Sequence, residues 1–191
     1  MSEPAPRPAL QQRVADAILD GAARMLAVEG EQASMNEVAE AAGVARATVY
    51  RYFPNRQALL DELAQAAVSD AEARLASARI DEVPPQEGIA RAVRALVDLG
   101  DSFVLLARER ARSDHQRFER SVTQPLRDLF DRGQAAGDIR SDITSARLTE
   151  SLIGSIVGLL MSTPPLGKED MIAAITGLFL DGAHARGPRL Q

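Results

Sequence analysis

Residues 34–53 read Ser-Met-Asn-Glu-Val-Ala-Glu-Ala-Ala-Gly-Val-Ala-Arg-Ala-Thr-Val-Tyr-Arg-Tyr-Phe. No other stretch restricts the folding of this chain as strongly. Ser34 is a good helix N-cap, and Glu37 three residues on completes a capping box, in which each side chain satisfies the other residue's backbone amide. Val38, Ala39 and Ala42 follow at helical spacing and give the first helix an apolar underside. Gly43 falls where the chain has to turn sharply, and glycine enters left-handed backbone conformations freely. Val44 is an apolar plug in that turn. The spacing then predicts a second helix over roughly 45–52, with Val49 and Phe53 facing inward at i, i+4. The whole is a helix-turn-helix.

Arg46, Ala47, Thr48, Tyr50 and Arg51 are left on the outer side of that second helix. Ordinary αα-hairpins share the helix–glycine–helix pattern, so the pattern alone does not decide between a packing unit and a binding unit. The outward chemistry does. Between 45 and 56 stand Arg46, Arg51 and Arg56, with no Asp or Glu. A short helix that exposes arginines, a hydroxyl and a phenol, with a small residue among them, suits the floor of a DNA major groove.

A net charge of −5 argues at first against DNA. For a protein that binds through one end, however, the local sign at the contacting surface is what matters. The acids gather elsewhere, at Asp61, Glu62, Asp70, Glu72, Asp81 and Glu82. Arginine outnumbers lysine, of which Lys168 is the single example. That bias aids bidentate contacts to bases and phosphates, and it also follows from a GC-rich genome. Hydrophobic residues make up 46% of 191, enough for a packed core of one or two domains. Cysteine is absent, which fits a reducing cytoplasm. No apolar run approaches the roughly 20 residues of a membrane span. The start, Met-Ser-Glu-Pro-Ala-Pro-Arg-Pro, lacks the apolar centre of a secretory signal and reads as a disordered tail over 1–8.

Segment 9–29 predicts an amphipathic helix through Leu10, Val14, Ala17, Ile18, Ala22, Met25 and Leu26, closed by Gly30. Pro54 and Asn55 mark a boundary, with Asn55 as cap of a long helix to about Ile80 that carries Leu59, Leu60, Leu63, Ala67, Ala71 and Leu75. Its length suits a connection between two parts of the molecule. Pro84 and Pro85 interrupt the chain. Helix resumes with Ile89, Val93, Leu96 and Val97, is disturbed near Gly100, and continues through Phe103 to Leu106. The stretch 108–120 is dense in charge and resists assignment. Thr123–Gln134 reads as helix through Leu126, Leu129 and Phe130, ended by Gly133 and Gly137, with a loop over 137–142. No strand-like alternation and no fixed-period repeat occurs. The expected division is a helix-turn-helix domain over 9–54 and a second domain over 55–191, with 55–80 as connecting helix.

Two final helices, 143–162 and 168–183, are apolar over more than half their circumference. A helix on the outside of a small monomer is not. Something covers the extra face, and a second copy of the chain is the natural cover, the alternative being a central core helix of a monomer. Gly154 and Gly158, four apart, let another helix approach closely. The expected homodimer interface is Leu152, Gly154, Ile156, Gly158 and Leu159 with Met171, Ile175, Leu178 and Phe179, arranged as a two-fold four-helix bundle.

The chain resembles the TetR family of bacterial transcriptional regulators over roughly residues 13–63. The marks are Ile18-Leu19, Ala22-Ala23, Gly30, Val38-Ala39, Ala42-Gly43-Val44, Ala47 through Phe53, Asn55-Arg56 and Leu59-Leu60. The remainder matches in helical organisation only. The resemblance implies an all-α dimer of about nine helices. An N-terminal three-helix DNA-binding domain precedes a C-terminal bundle for ligand binding and dimerisation. It implies that Arg46 and Thr48 approach base edges or backbone, and that Ala47 lets the helix sit close. Tyr50 donates to phosphate, and Arg51 meets phosphate or a base. Asn55 and Arg56 offer phosphate contacts at a helix start, and Ser34 touches the backbone as well as capping. Ala45 departs from the family's usual Ser or Thr cap, a loss of about 1 kcal/mol locally.

The expected partners are a palindromic operator duplex and an unidentified small-molecule effector, with no membrane. A pocket between helices 89–106 and 117–132, with 143–162 behind, would draw on Phe103, Leu106, His115, Phe118, Leu126 and Met161. The function expected is a ligand-released repressor in the cytoplasm. A transcriptional activator, or a ligand-independent DNA-binding protein, is the alternative. Catalysis is not expected. His115 and His184 are the only histidines, no metal-ligand spacing or glycine-rich phosphate loop occurs, and no cofactor or metal is implied.

Overall fold

A computed structural model describes residues 9–29, 33–109, 115–163 and 165–183. Expectations for the tail 1–8, for Gly30 and for His184 lie outside the described residues, as does the side chain of His115. Among the described residues the chain forms nine helices and no strand. These are α1 (Ala9–Glu29), α2 (Met35–Ala41), α3 (Arg46–Tyr52), α4 (Arg56–Ala78), α5 (Pro85–Val97) and α6 (Asp101–Glu109), then α7, α8 (Ser145–Leu160) and α9 (Lys168–Ala183). The α7 helix runs as His115–Phe118, a π-helical turn Glu119–Thr123, and Gln124–Ala135. Among these residues no helix is long and apolar enough to cross a membrane, and no group of three or more His, Cys, Asp or Glu is placed to hold a metal.

The chain divides into two compact units, Met1–Gln65 and Ala66–Gln191. The division falls inside α4, whereas the sequence pattern places it before that helix. The reason is burial: Leu59 and Leu63, on the first part of α4, complete the core of the first unit. Their partners there are Ile18, Ala22 and Leu26 of α1, Val38 and Ala39 of α2, Val49 of α3, and Phe53. Leu10 is a correction to the apolar stripe of α1, since it stands 72% exposed near the start of the helix. Gly21, which the periodicity does not single out, is a point of close approach. A Cβ there would lie 2.8 Å from the Ala42 backbone nitrogen, so α1 and the end of α2 meet with no room for a side chain.

The second unit packs the remainder of α4 with α5 to α9 around one apolar core that includes Ala71, Leu96, Phe103, Phe118, Leu126, Phe130, Leu152 and Ile156. Pro85 opens α5, where a missing amide hydrogen costs nothing. Gly100, at φ +55°, separates α5 from α6. Gly133 does not end a helix as expected. It lies buried inside α7, where a Cβ would meet Ile139 Cδ1 at 2.5 Å and Pro85 Cβ at 3.0 Å, and the chain turns instead at Gly137, φ +79°. The charged stretch before Thr123 is also helical from His115 onward. Pro125 has no amide hydrogen for the Ser121 carbonyl, and the π turn absorbs the mismatch, the Gln124 N–H donating to the Glu119 carbonyl.

Cross-links tie the helix ends together. Arg132 donates to the Ile80 carbonyl at 2.7 Å and Gln134 to the Ile143 carbonyl at 2.7 Å. Arg140 grips Asp142 through two contacts of 2.6 Å and reaches the Gly182 carbonyl at 3.0 Å. Its backbone N–H donates to the Ala183 carbonyl at 2.9 Å, so the last turn of α9 is held by this loop. At the other end of α9, Lys168 pairs with Asp98 and Glu169 takes Arg94 bidentately at 2.8 Å.

Candidate functional site

Local hydrogen bonding sets the geometry of the α2–α3 pair. The Glu37 amide donates to Ser34 Oγ at 3.3 Å, and the Ser34 amide donates to Glu37 Oε2 at 2.7 Å, completing the capping box. The Ser34 hydroxyl, and then its backbone amide, stabilise the Glu37 carboxylate and lower its pKa from the ordinary glutamate value. Gly43 takes φ +65°, a conformation that strains any other residue. Val44 donates its amide to the Ala39 carbonyl at 3.0 Å. Arg24 of α1 donates to the Ala41 carbonyl at 2.9 Å, closing the end of α2. Sequence reasoning missed this arginine, whose only local signal is a charge on the flank of an amphipathic helix.

The inner side of α3 is Val49, with Phe53 just beyond it; both are buried. Outward stand Arg46, Ala47, Tyr50 and Arg51, all exposed, with Thr48 half-buried beside them. Ala45 precedes α3 in extended conformation with no side-chain cap, as its methyl dictates. The Arg46 guanidinium lies over the Tyr50 ring, 5.3 Å from its centroid, and that of Arg51 over Tyr52 at 5.4 Å. Asn55 is exposed, and its Oδ1 accepts the Ala58 amide at 2.8 Å, capping α4. Arg56 is half-buried, its Nε donating to the Ala33 carbonyl at 3.4 Å next to the Ser34 cap. Part of the Arg56 side chain therefore braces the first unit.

The family profile described as bacterial regulatory proteins, tetR family, matches residues 18–63, the span of this core and its outward face. Over these residues the chain is similar to the TetR family. It is 35% identical over 100 residues to the HTH-type transcriptional repressor LfrR of Mycolicibacterium smegmatis, a match that covers 52% of each chain, about half of that relative's length. The fold of the whole chain is similar to that of LfrR from Mycobacterium smegmatis solved with proflavine, at TM-score 0.73 and 22% identity over 91% of this chain and 98% of that one. AibR solved with isovaleryl coenzyme A and operator DNA matches at TM-score 0.69 and 21% identity, over 86% and 97%.

In the second unit, Phe103, Leu106, Phe118 and Leu126 lie together in the apolar core, each at most 2% exposed. Met161 is a correction to that group. It is the C-cap of α8 and 44% exposed, because the helix ends there and carries it out of the core. Thr149, which sequence reasoning missed, is fully buried on α8, and its hydroxyl has no hydrogen-bond partner. An isolated threonine on an apolar helix face was the available signal.

The expected interface residues divide between two sides of α8 and α9. Leu152, Ile156, Met171 and Ile175 are at most 6% exposed and are corrected as interface candidates, because the chain itself already encloses them. Gly154, Gly158 and Leu178 are exposed, and Leu159 and Phe179 half-buried. Phe179 also packs on Phe130, ring centroids 5.6 Å apart. A Cβ at Gly154 or Gly158 would meet nothing within 4 Å, so packing within the subunit does not require either glycine. Between the two helices runs a groove of about 360 Å³ lined by Ser155, Gly158, Leu159, Ile175, Leu178 and Phe179.

Proposed function

We propose that the chain is a dimeric DNA-binding transcriptional regulator, a repressor that a small molecule releases from a palindromic operator. The observation that carries the reading is the outer side of α3. Arg46, Ala47, Thr48, Tyr50 and Arg51 face solvent over a buried Val49, in a stretch without a single acid from 41 to 60. Ser34 and Asn55, at the starts of α2 and α4, add polar groups for phosphates. LfrR carries the name of a repressor, and AibR is recorded with operator DNA, which supports the same assignment here.

Dimerisation supplies the geometry. Two recognition helices meet successive major grooves when their centres are about 34–36 Å apart. The outer faces of α8 and α9, with Gly154, Gly158 and Leu178, form the proposed contact, a four-helix bundle across a two-fold axis. The effector enters the core of the second unit, around Phe103, Leu106, Phe118 and Leu126; the buried, unpartnered Thr149 hydroxyl of the same unit is a candidate polar contact. LfrR solved with proflavine and AibR with isovaleryl coenzyme A support a small-molecule effector. Release follows from differential affinity of the ligand for two spacings of the recognition helices.

The test is a gel shift of the full chain on the duplex upstream of its own coding region, beside a Thr48→Ala, Tyr50→Ala double variant. The wild type gives a discrete, competitor-resistant complex that the double variant loses. Equal sequence-specific binding by both removes α3 from the interface. Thermal shifts against a metabolite panel then separate a ligand-released regulator, which shows a hit that also weakens the DNA complex, from a ligand-independent one.

A further inference from the structure

We infer that Arg46, stacked on Tyr50, selects a guanine in each half of the operator. The inference rests on the DNA-binding reading above and specifies what α3 reads. Arg46 is the first residue of α3, where the aligned peptide dipoles present a positive end and disfavour a cation. No acid between 41 and 60 answers the charge, and α3 has no side-chain cap. A position that breaks local preferences in these ways, with no compensating contact to an anion among the described residues, is where function is expected.

The compensation present is the Tyr50 ring, one turn along, with the Arg46 guanidinium 5.3 Å from its centroid. Both residues are exposed. A guanidinium over an aromatic face uses its own face for that contact, and its N–H donors lie in its plane, free for an acceptor at the edge. The stack also restricts a long side chain before any ligand arrives, so less freedom is lost on binding. An all-donor fork needs two adjacent acceptors. In the major groove guanine presents that pair, O6 and N7, whereas adenine offers one acceptor and one donor. Tyr50 thus acts as the positioning residue and Arg46 as the reader. A phosphate would take the same fork without any base preference, and the test separates the two.

The full chain and its variants are used to select duplexes from a randomised library, with circular dichroism melts to check folding. The wild type enriches a two-fold symmetric sequence with guanine fixed at one place in each half. Arg46→Ala loses about ten- to a hundred-fold in affinity for it and the guanine preference with it. Arg46→Lys keeps charge at an exposed site, retains most non-specific binding, and weakens the preference without abolishing it, because an ammonium also donates to O6 and N7. Tyr50→Leu reduces discrimination, while Tyr50→Phe, which keeps the ring, retains it. A symmetric sequence without the fixed guanine, or a guanine preference untouched in Arg46→Ala, overturns the inference and leaves the DNA-binding reading standing. So does full discrimination in Tyr50→Leu. If the wild type enriches no duplex, the DNA-binding reading fails as well.

Discussion

Phe53 closes the inner side of α3 at 2% exposure, while Tyr50, three residues earlier, stands at 38%. That contrast makes α3 a surface with a firm backing. Phe53→Ala removes a fully enclosed ring, and we expect a loss of about 3–5 kcal/mol in the first unit, read by denaturant unfolding. Ala45→Ser works in the opposite direction. Its hydroxyl caps an uncapped helix start, with an expected gain of about 1 kcal/mol in the same measurement. The capping box carries a pH signature. Hydrogen bonding lowers the Glu37 pKa in the folded chain, so its charged form contributes fully above the ordinary glutamate value, and that contribution fades as pH falls through the lowered value. The stability difference between wild type and Glu37→Gln is therefore expected at neutral pH and closes on acidification, in paired melts across pH 2–7.

At the scale of elements, much was legible because it is local. The capping box, the Gly43 turn, the inward pair Val49 and Phe53, and the bounds of α1 and α9 each follow from spacing within a few turns. What escaped depends on neighbours distant in sequence. Leu10 fits the apolar stripe of α1, yet nothing reaches far enough to cover it. Gly133 reads as a helix stop, but Ile139 and Pro85 crowd it inside α7. The charged stretch before Thr123 resists assignment, yet a π turn at Glu119–Thr123 lets the helix run through Pro125. Alanine at 133 sets two effects against each other. Helix propensity favours it by about 1 kcal/mol, whereas forcing a methyl against Ile139 and Pro85 costs about 1–3 kcal/mol. The second wins, and we expect Gly133→Ala to lower the melting temperature.

For the whole molecule, α8 and α9 show what periodicity leaves open. Both are apolar on two sides, and periodicity does not say which side the subunit keeps. Leu152, Ile156, Met171 and Ile175 went inward, leaving Gly154, Gly158 and Leu178 outside. A double alanine replacement of Gly154 and Gly158 has opposite consequences for subunit and assembly. Open space around each Cβ lets the subunit gain helix propensity of about 1 kcal/mol per site, while a proposed partner helix is pushed away. Sedimentation velocity is expected to show a weaker dimer from a subunit that melts higher when dilute. A proposed pocket is harder still to read from sequence, since a core side chain and a ligand-lining one follow the same apolar pattern.

Lys168 is the one lysine in the chain, and Asp98 holds it at the first turn of α9. A lysine-directed protease therefore has a single internal bond to cut. Digestion under native conditions becomes a stopwatch for the unzipping of that helix, and neutralising Asp98 should make it run faster.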